Sequence, residues 1–247
     1  MTATQVDQSP YPLQIVRAGP MFAGVPAATF ERMTQDLTLE RWPRHAAILS
    51  AVQTSQRFIL LAQGRVKIVR ANGSSGRELT LWLLGPGDGF DVVAALDGQP
   101  HQVSAWAIDE VVGYAAPIEW VRHWLERDGP FRRALHHYAA SQLRALSDLA
   151  ADLALHDTAT RLARLLVRYC SSAERSAAQP TFIDDLSHEE LAAMIGSVRV
   201  VINRLLGKLK REAIVDREHG RLQILDMERL LQLAESRLEH CRHAANG

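Results

Sequence analysis

The sequence predicts an α+β chain, with short strands gathered in its first half and helices in its second. Three observations carry this. Between residues 37 and 117, β-rich runs alternate with clusters of Gly, Pro, Asn and Ser, the pattern of a sandwich or jelly roll. From 131 to 156, apolar residues recur alternately at four and three, as on a long helix with one apolar seam. Residues 187–211, SHEELAAMIGSVRVVINRLLGKLKR, read as two helices with a tight break at Gly196.

Residues 1–12 are polar, contain Pro10 and Pro12, and read as a loosely docked arm. Residues 26–36, PAATFERMTQD, read as a short helix opened by proline, with Phe22, Phe30 and Met33 turned inward. Strands are expected at 37–42, 57–61, 65–70, 78–83, 102–107 and 111–115. The NGSSG run at 72–76 is a hairpin signal, and GPGDG at 85–89 is a second turn. Residues 117–128 read as a helix with Trp120, Val121, Trp124 and Leu125 on one side; at this spacing aromatic residues belong to a core rather than a ligand box.

The long helix carries Leu135, Ala139, Gln142, Leu146, Leu149 and Leu153 at seam spacing. Such a seam pairs with a second copy or packs on its own domain, and a polar Gln142 within it would fix register. Asp157 is placed to cap the next helix, 158–170, which turns Leu162, Leu165, Leu166 and Tyr169 inward. A Ser/Ala-rich loop follows at 171–180. Residues 214–224 read as a small hairpin, and Asp226 caps a final helix from 227 to about 240.

The centre of the chain is the helix pair. Ser187 can accept from a backbone N–H of the first turn while Glu190 reaches back to it. Leu191, Met194 and Ile195 form one apolar face, and Gly196 admits the turn. In the second helix Val198, Val201, Ile202, Leu205, Leu206 and Leu209 form the expected buried stripe. Residues 197–211 hold five basic side chains and no acidic ones. A helix-turn-helix lays its second helix in the major groove with its N-terminal residues nearest the bases, and Arg can pair with guanine O6 and N7. An amphipathic pair with a solvated basic face is the plainer alternative. The capping box, glycine break, one-sided basic helix and following hairpin together favour DNA.

The run ELAAMIGSVRVVINRLLGKLKREAIV resembles the helix-turn-helix of the cyclic AMP receptor/FNR (Crp/Fnr) family of bacterial transcription regulators. QGRVKIV, GRELTL and GPGDGF are similar to that family's cyclic-nucleotide-binding β-roll, although Val52 stands where the family commonly has Gly. The resemblance implies a guanine contact for Arg199 and a base or phosphate contact for Arg204. The expected DNA-reading set is Ser197, Arg199, Val200, Asn203, Arg204 and Lys208. Val200 departs from the family, which has Glu there to accept from a cytosine amino group. A valine offers only a methyl contact, so the operator should differ. Ala213 also stands where the family often has Gly.

Composition sets the outer bounds. A chain of 247 residues suits two domains. Net charge is zero, so basicity is local, as in a sequence-specific regulator. Cys170 and Cys241 are far apart and form no CxxC, which points to a reducing cytoplasm and excludes the cysteine set of an FNR-type iron–sulfur sensor. No apolar run approaches about 18 residues, so no membrane segment is expected. No HExxH, GxSxG, P-loop or GxGxxG run is present, and an enzyme is not expected.

The sensor pocket is the other functional expectation. Family members that bind cyclic AMP have Gly-Glu after the GD turn, where Glu accepts from the ribose, and Arg-Ser or Arg-Thr later, where Arg pairs with the cyclic phosphate. Here those places hold Asp91-Val92 and Val103-Ser104. Without the arginine a buried phosphate has no compensating charge, so cyclic AMP is not the expected effector. Asp91, Val92, Val103, Ser104 and Leu146 are the expected pocket residues, for an apolar or aromatic ligand, haem or nothing. His101 and His136 are the candidate haem ligands, against the alternative of surface histidines; no metal site is otherwise expected.

Three segments are therefore expected: a β-roll sensor at 1–129, a dimerisation helix and hinge at 130–156, and a winged helix-turn-helix at 157–247. The implied protein is a cytoplasmic homodimer that binds a pseudo-palindromic operator in double-stranded DNA, with RNA polymerase as a further implied partner. The alternatives are a haem-based CO/NO sensor and a regulator needing no effector.

Overall fold

The structure is a computed structural model, and it describes residues 13–170, 183, 185–218 and 221–235. The arm at 1–12, the loop at 171–180 and the last residues of the expected final helix lie outside the described residues. The chain divides into two compact units. One comprises residues up to Arg70 together with Leu81–Ala145; the other comprises Ala71–Thr80 together with the residues from Leu146 onward.

The first unit begins with α1 (Leu13–Ala18), a short 3₁₀ turn at Pro20–Phe22 and α2 (Ala27–Thr34). Eight strands follow: β1 (Thr38–Trp42), β2 (Ala47–Leu49), β3 (Arg57–Gln63), β4 (Val66–Ala71), β5 (Glu78–Leu84), β6 (Gly89–Phe90), β7 (Ser104–Ala107) and β8 (Val111–Pro117). They form two four-stranded sheets, ordered β1-β8-β3-β6 and β2-β7-β4-β5. The six strands expected from sequence are present. Two short ones, β2 and β6, and the helix α3 (Val92–Asp97) were not expected.

Strand β3 shows how alternation builds this unit. Successive side chains of a strand point to opposite faces. Phe58, Leu60 and Ala62 enter a core shared with α1, α2, α4 (Ile118–Arg127) and the start of the long helix. Ile59 and Leu61 enter a second core with Val66, Ile68, Val103 and Val111. A strand buried on both faces reads as a continuous apolar run, which RFILLAQ is. The aromatic side of α4 is core, as expected: Trp120 is buried and its Nε1–H donates to Met33 O at 2.9 Å.

The long helix α5 spans Gly129–Leu155. Here one expectation is corrected. Leu135 is wholly buried in the first core, and Ala139 packs against that core, so the first turns of the seam face their own domain. Gln142 is hydrogen-bonded to Tyr138 on the same helix. Leu146, Leu149 and Leu153 are half-buried, while Leu143, outside the expected seam, is 69% exposed.

The second unit contains α6 (Thr158–Cys170), α7 (His188–Met194), α8 (Arg199–Arg211), the hairpin β9 (Val215–Glu218) with β10 (Arg221–Ile224), and α9 (Met227–Glu235). Leu162, Leu166, Leu191, Ile202, Ile214 and Leu230 are buried in it. Asp157 accepts from Thr160 N at 2.9 Å and Asp226 from Arg229 N at 2.9 Å, the two caps read from sequence. Asp152 on the last turns of α5 meets Arg164 Nε at 2.6 Å and Arg168 Nη2 at 3.3 Å on α6. This clamp fixes one helix end against the next.

Candidate nucleic-acid interface and sensor turn

The interface begins at the cap of α7. Ser187 Oγ accepts from Glu190 N at 3.2 Å, and Glu190 Oε2 accepts from Ser187 N at 2.8 Å, closing the capping box. The helix ends with Gly196 at φ +62°, and Ser197 N donates to Ala192 O at 2.9 Å. That left-handed residue and its long-span bond re-aim the chain into α8. Helix α8 ends the same way. Ala213 takes φ +54°, and Ile214 N donates to Leu209 O at 2.9 Å. The position where the family often has Gly thus carries the strained conformation that Gly would relieve.

Burial along α8 separates two faces. Ile202, Leu206 and Leu209 are buried, with Val201 and Leu205 half-buried. Arg199, Val200, Asn203, Arg204, Gly207, Lys208 and Arg211 are exposed, the rows expected of one side of a helix. Val198 is a correction: it is the residue before the first helical turn, is 47% exposed, and is not part of the buried stripe. Val200 is 78% exposed. A β-branched apolar side chain this open on a basic face has a thymine methyl as a suitable contact. Ser197 is half-buried in the turn itself.

The basic residues are not equivalent. Lys210 lies 2.6 Å from Asp216 on the wing, and that hydrogen bond, with one from Arg217 N, holds the Asp216 carboxyl below the usual carboxylate range. Lys208 lies 3.8 Å from Glu212. Among the described residues Arg199 and Arg204 form no ion pair with the protein. Two groups that sequence reasoning passed over lie near Arg199. Arg217 of β9 places Nη1 at 2.8 Å from His188 Nε2 and donates through Nη2 to Leu186 O at 2.9 Å. Burial, then the charges of Arg217 and Arg199, push the His188 imidazole below its ordinary value. The available signal was a histidine directly after the capping serine.

The sensor turn is also different in detail from its expectation. Asp91 is 2% exposed and caps α3, accepting from Val93 N at 3.0 Å. Its other oxygen lies 3.2 Å from His101 Nδ1. His101 stands edge-on to Trp82, with ring centroids 6.0 Å apart. Val92 belongs to the first core and Val103 to the second, so alternate burial prevents the two from lining one pocket. Ser104 is half-buried on β7, and Leu146 belongs to the second compact unit. His136 is exposed on α5. Tyr138 OH donates to Asp88 Oδ1 at 3.1 Å, tying α5 to the 85–89 turn; burial pushes the Tyr138 phenol well above its ordinary range and raises the Asp88 carboxyl. Among the described residues no group of three His, Cys, Asp or Glu is placed to hold a metal ion.

Residues 39–128 match the cyclic nucleotide-binding domain family and residues 160–233 the Crp-like helix-turn-helix domain family. The chain is 30% identical over 190 residues to the global nitrogen regulator of Synechocystis sp., covering 74% of this chain and 84% of that protein. The chain belongs to the Crp/Fnr family of transcription regulators. It is also 28% identical over 223 residues to the CRP-like cAMP-activated global transcriptional regulator of Mycobacterium tuberculosis, covering 89% of this chain and 98% of the other. A solved CRP/FNR-family regulator from Thermus thermophilus superposes with a TM-score of 0.63 at 25% identity, over 81% of this chain and all of its own. This Crp/Fnr regulator therefore carries a DNA-binding helix-turn-helix, and α8 is its second helix. No helix among the described residues is long and apolar enough to cross a membrane.

Proposed function

We propose that this regulator acts as a cytoplasmic homodimer that reads a pseudo-palindromic operator through α8, without a cyclic nucleotide as effector. The observation that carries the reading is the open face of α8. Arg199 stands at its first position, Val200, Asn203 and Arg204 follow on the exposed side, and neither arginine is used in an internal ion pair among the described residues. Arg199 pairs with a guanine, Val200 meets a thymine methyl, and Arg204 and Lys208 serve bases or phosphate. Two copies are needed because one helix reaches only one half-site, and half-sites sit about one helical turn apart. The exposed Leu143 and the half-buried Leu146, Leu149 and Leu153 supply the apolar surface of the dimer helix. RNA polymerase is the further partner implied for such a regulator.

The sensor turn supports an effector other than cyclic AMP. Where an arginine would meet a cyclic phosphate, the chain has buried Val103, and the neighbouring polar group is a buried carboxylate, Asp91. An incoming anion would meet negative charge in a poorly solvated site. The haem alternative rests on His101, because a carboxylate on one ring nitrogen orients an imidazole for ligation through the other. A Soret band after expression with a haem precursor tests it.

Site selection from a random DNA pool, with purified protein at physiological salt, tests the main reading. A two-fold-symmetric site is the expected product. If no site emerges from the protein alone or with haem or cyclic nucleotides added, the reading fails.

A further inference from the structure

The contact between His188 and Arg217 constrains where the protons are. A guanidinium only donates hydrogen bonds. With Arg217 Nη1 at 2.8 Å, His188 Nε2 must be the acceptor, so the free protein holds a neutral imidazole protonated on Nδ1. An Nε2–H would set two donors against each other at hydrogen-bond distance, and a doubly protonated ring would add two like charges. The surroundings agree, since burial and the positive charges of Arg217 and Arg199 disfavour the imidazolium.

The position of this pair gives the constraint a use. His188 is the first residue of α7, and the first helix of a helix-turn-helix crosses the phosphate backbone. His188 and Arg217 are both half-buried, and the exposed Arg199 of α8 is near enough to act on His188. The other charged groups carried by these segments are mostly acidic. Glu189 follows on the same helix, and Glu190 is held in the capping box. Asp184 and Asp185 precede Ser187 in sequence. On the wing strand Asp216 pairs with Lys210, and Glu218 lies further along.

We propose that His188 and Arg217 form a DNA-phosphate site in which His188 changes from acceptor to donor, taking up one proton for each half-site bound. This rests on the DNA-binding reading and deepens it. A phosphodiester oxygen beside the pair supplies the negative charge that an imidazolium lacks in the free protein. Nε2 gains a proton from solvent and donates to the phosphate, while Arg217 donates to the same anion. DNA affinity therefore rises on acidification, by up to about tenfold per pH unit for each half-site.

Two measurements test this. Nitrogen-detected NMR of the free, full-length protein at pH 7 is expected to show His188 as the neutral Nδ1–H tautomer; an Nε2–H tautomer or an imidazolium overturns the proposal. Binding to the selected operator at fixed salt, from pH 6 to 8, is then compared with His188→Gln, whose amide can still accept from Arg217 or donate to phosphate but cannot titrate. Wild type is expected to tighten several-fold toward pH 6, and the variant to lose that slope whatever its affinity at pH 8. Selective binding with the same slope in both proteins overturns this inference alone. If selective DNA binding is absent at every pH although the tautomer is as expected, the DNA-binding reading falls and this inference with it.

Discussion

Replacing Arg199 with Ala should remove base discrimination without unfolding the protein. Arg199 is exposed at the first position of α8, and among the described residues it forms no ion pair with the protein. No buried partner is stranded by its loss, and a surface substitution of this kind changes stability by about 0.5 kcal/mol or less. At the interface the change is larger. A bidentate Arg–guanine contact contributes about 1–3 kcal/mol of discrimination, or roughly 5- to 150-fold at one base pair of each half-site. The assay is competition binding against operators substituted at each position in turn, at one salt concentration. The Ala variant should lose preference at one symmetric pair of positions and keep it elsewhere. Arg204→Ala offers a contrast: if it serves phosphate, it should weaken all sites alike and reduce the salt slope by about one. An Arg199→Ala protein with the wild-type preference profile would refute the assignment, because no other arginine stands in the first turn of α8.

Four further outcomes follow from the second unit. Gly196→Ala should destabilise by about 1–2 kcal/mol in urea unfolding, since φ is +62° and a Cβ would lie 2.7 Å from Leu153 Cδ2. Ala213→Gly should act in the opposite sense, adding about 0.5–1 kcal/mol, because it relieves φ +54° at some expense in unfolded-chain entropy. Asp152→Asn removes the charge that Arg164 and Arg168 share; with those side chains 35% and 40% exposed, the loss should be about 1–2 kcal/mol, and an unchanged unfolding midpoint would refute the clamp. His188 should also appear in the pH dependence of stability. Its folded value lies below 6.5, so the unfolded chain takes the proton first; stability present above 6.5 is lost as pH falls through the lower folded value, and His188→Gln should flatten that loss.

The helix-turn-helix was legible because its signals are local. A capping box, a glycine at the break and a stripe at helical spacing all lie within 25 residues, and each is a property of backbone and near neighbours. What failed needed the third dimension. The seam from Leu135 to Leu153 is a true apolar periodicity, but periodicity says which face is apolar and not what it faces. Leu135 turned out to fill its own domain's core. Val198 matched the stripe by spacing, yet the helix begins one residue later. Strand β6 is two residues long, and α3 lies inside a run read for its likeness to a ligand loop. Asp91, assigned there to a pocket, serves as the cap that starts α3. His188 and Arg217 are 29 residues apart, and only the wing hairpin brings them together.

The two halves of the regulator handle buried charge in opposite ways, and this bears on how it is controlled. In the sensor turn Asp91 has its hydrogen bonds supplied by Val93 N, Ala94 N and His101, all from this chain. A site already satisfied internally gives a new anion little to gain and a carboxylate to oppose it. In the DNA-binding half the reverse holds. Burial and the charges of Arg217 and Arg199 disfavour the imidazolium of His188, so a neighbouring anion would have something to gain there. A ligand shifts an equilibrium only through unequal affinity for its two states. On the reading proposed above, an anionic nucleotide gains little at the sensor turn, whereas a DNA phosphate gains the contacts offered by the helix-turn-helix. Under the proposed reading, proton activity at His188 tunes operator affinity directly, in the domain that binds the operator.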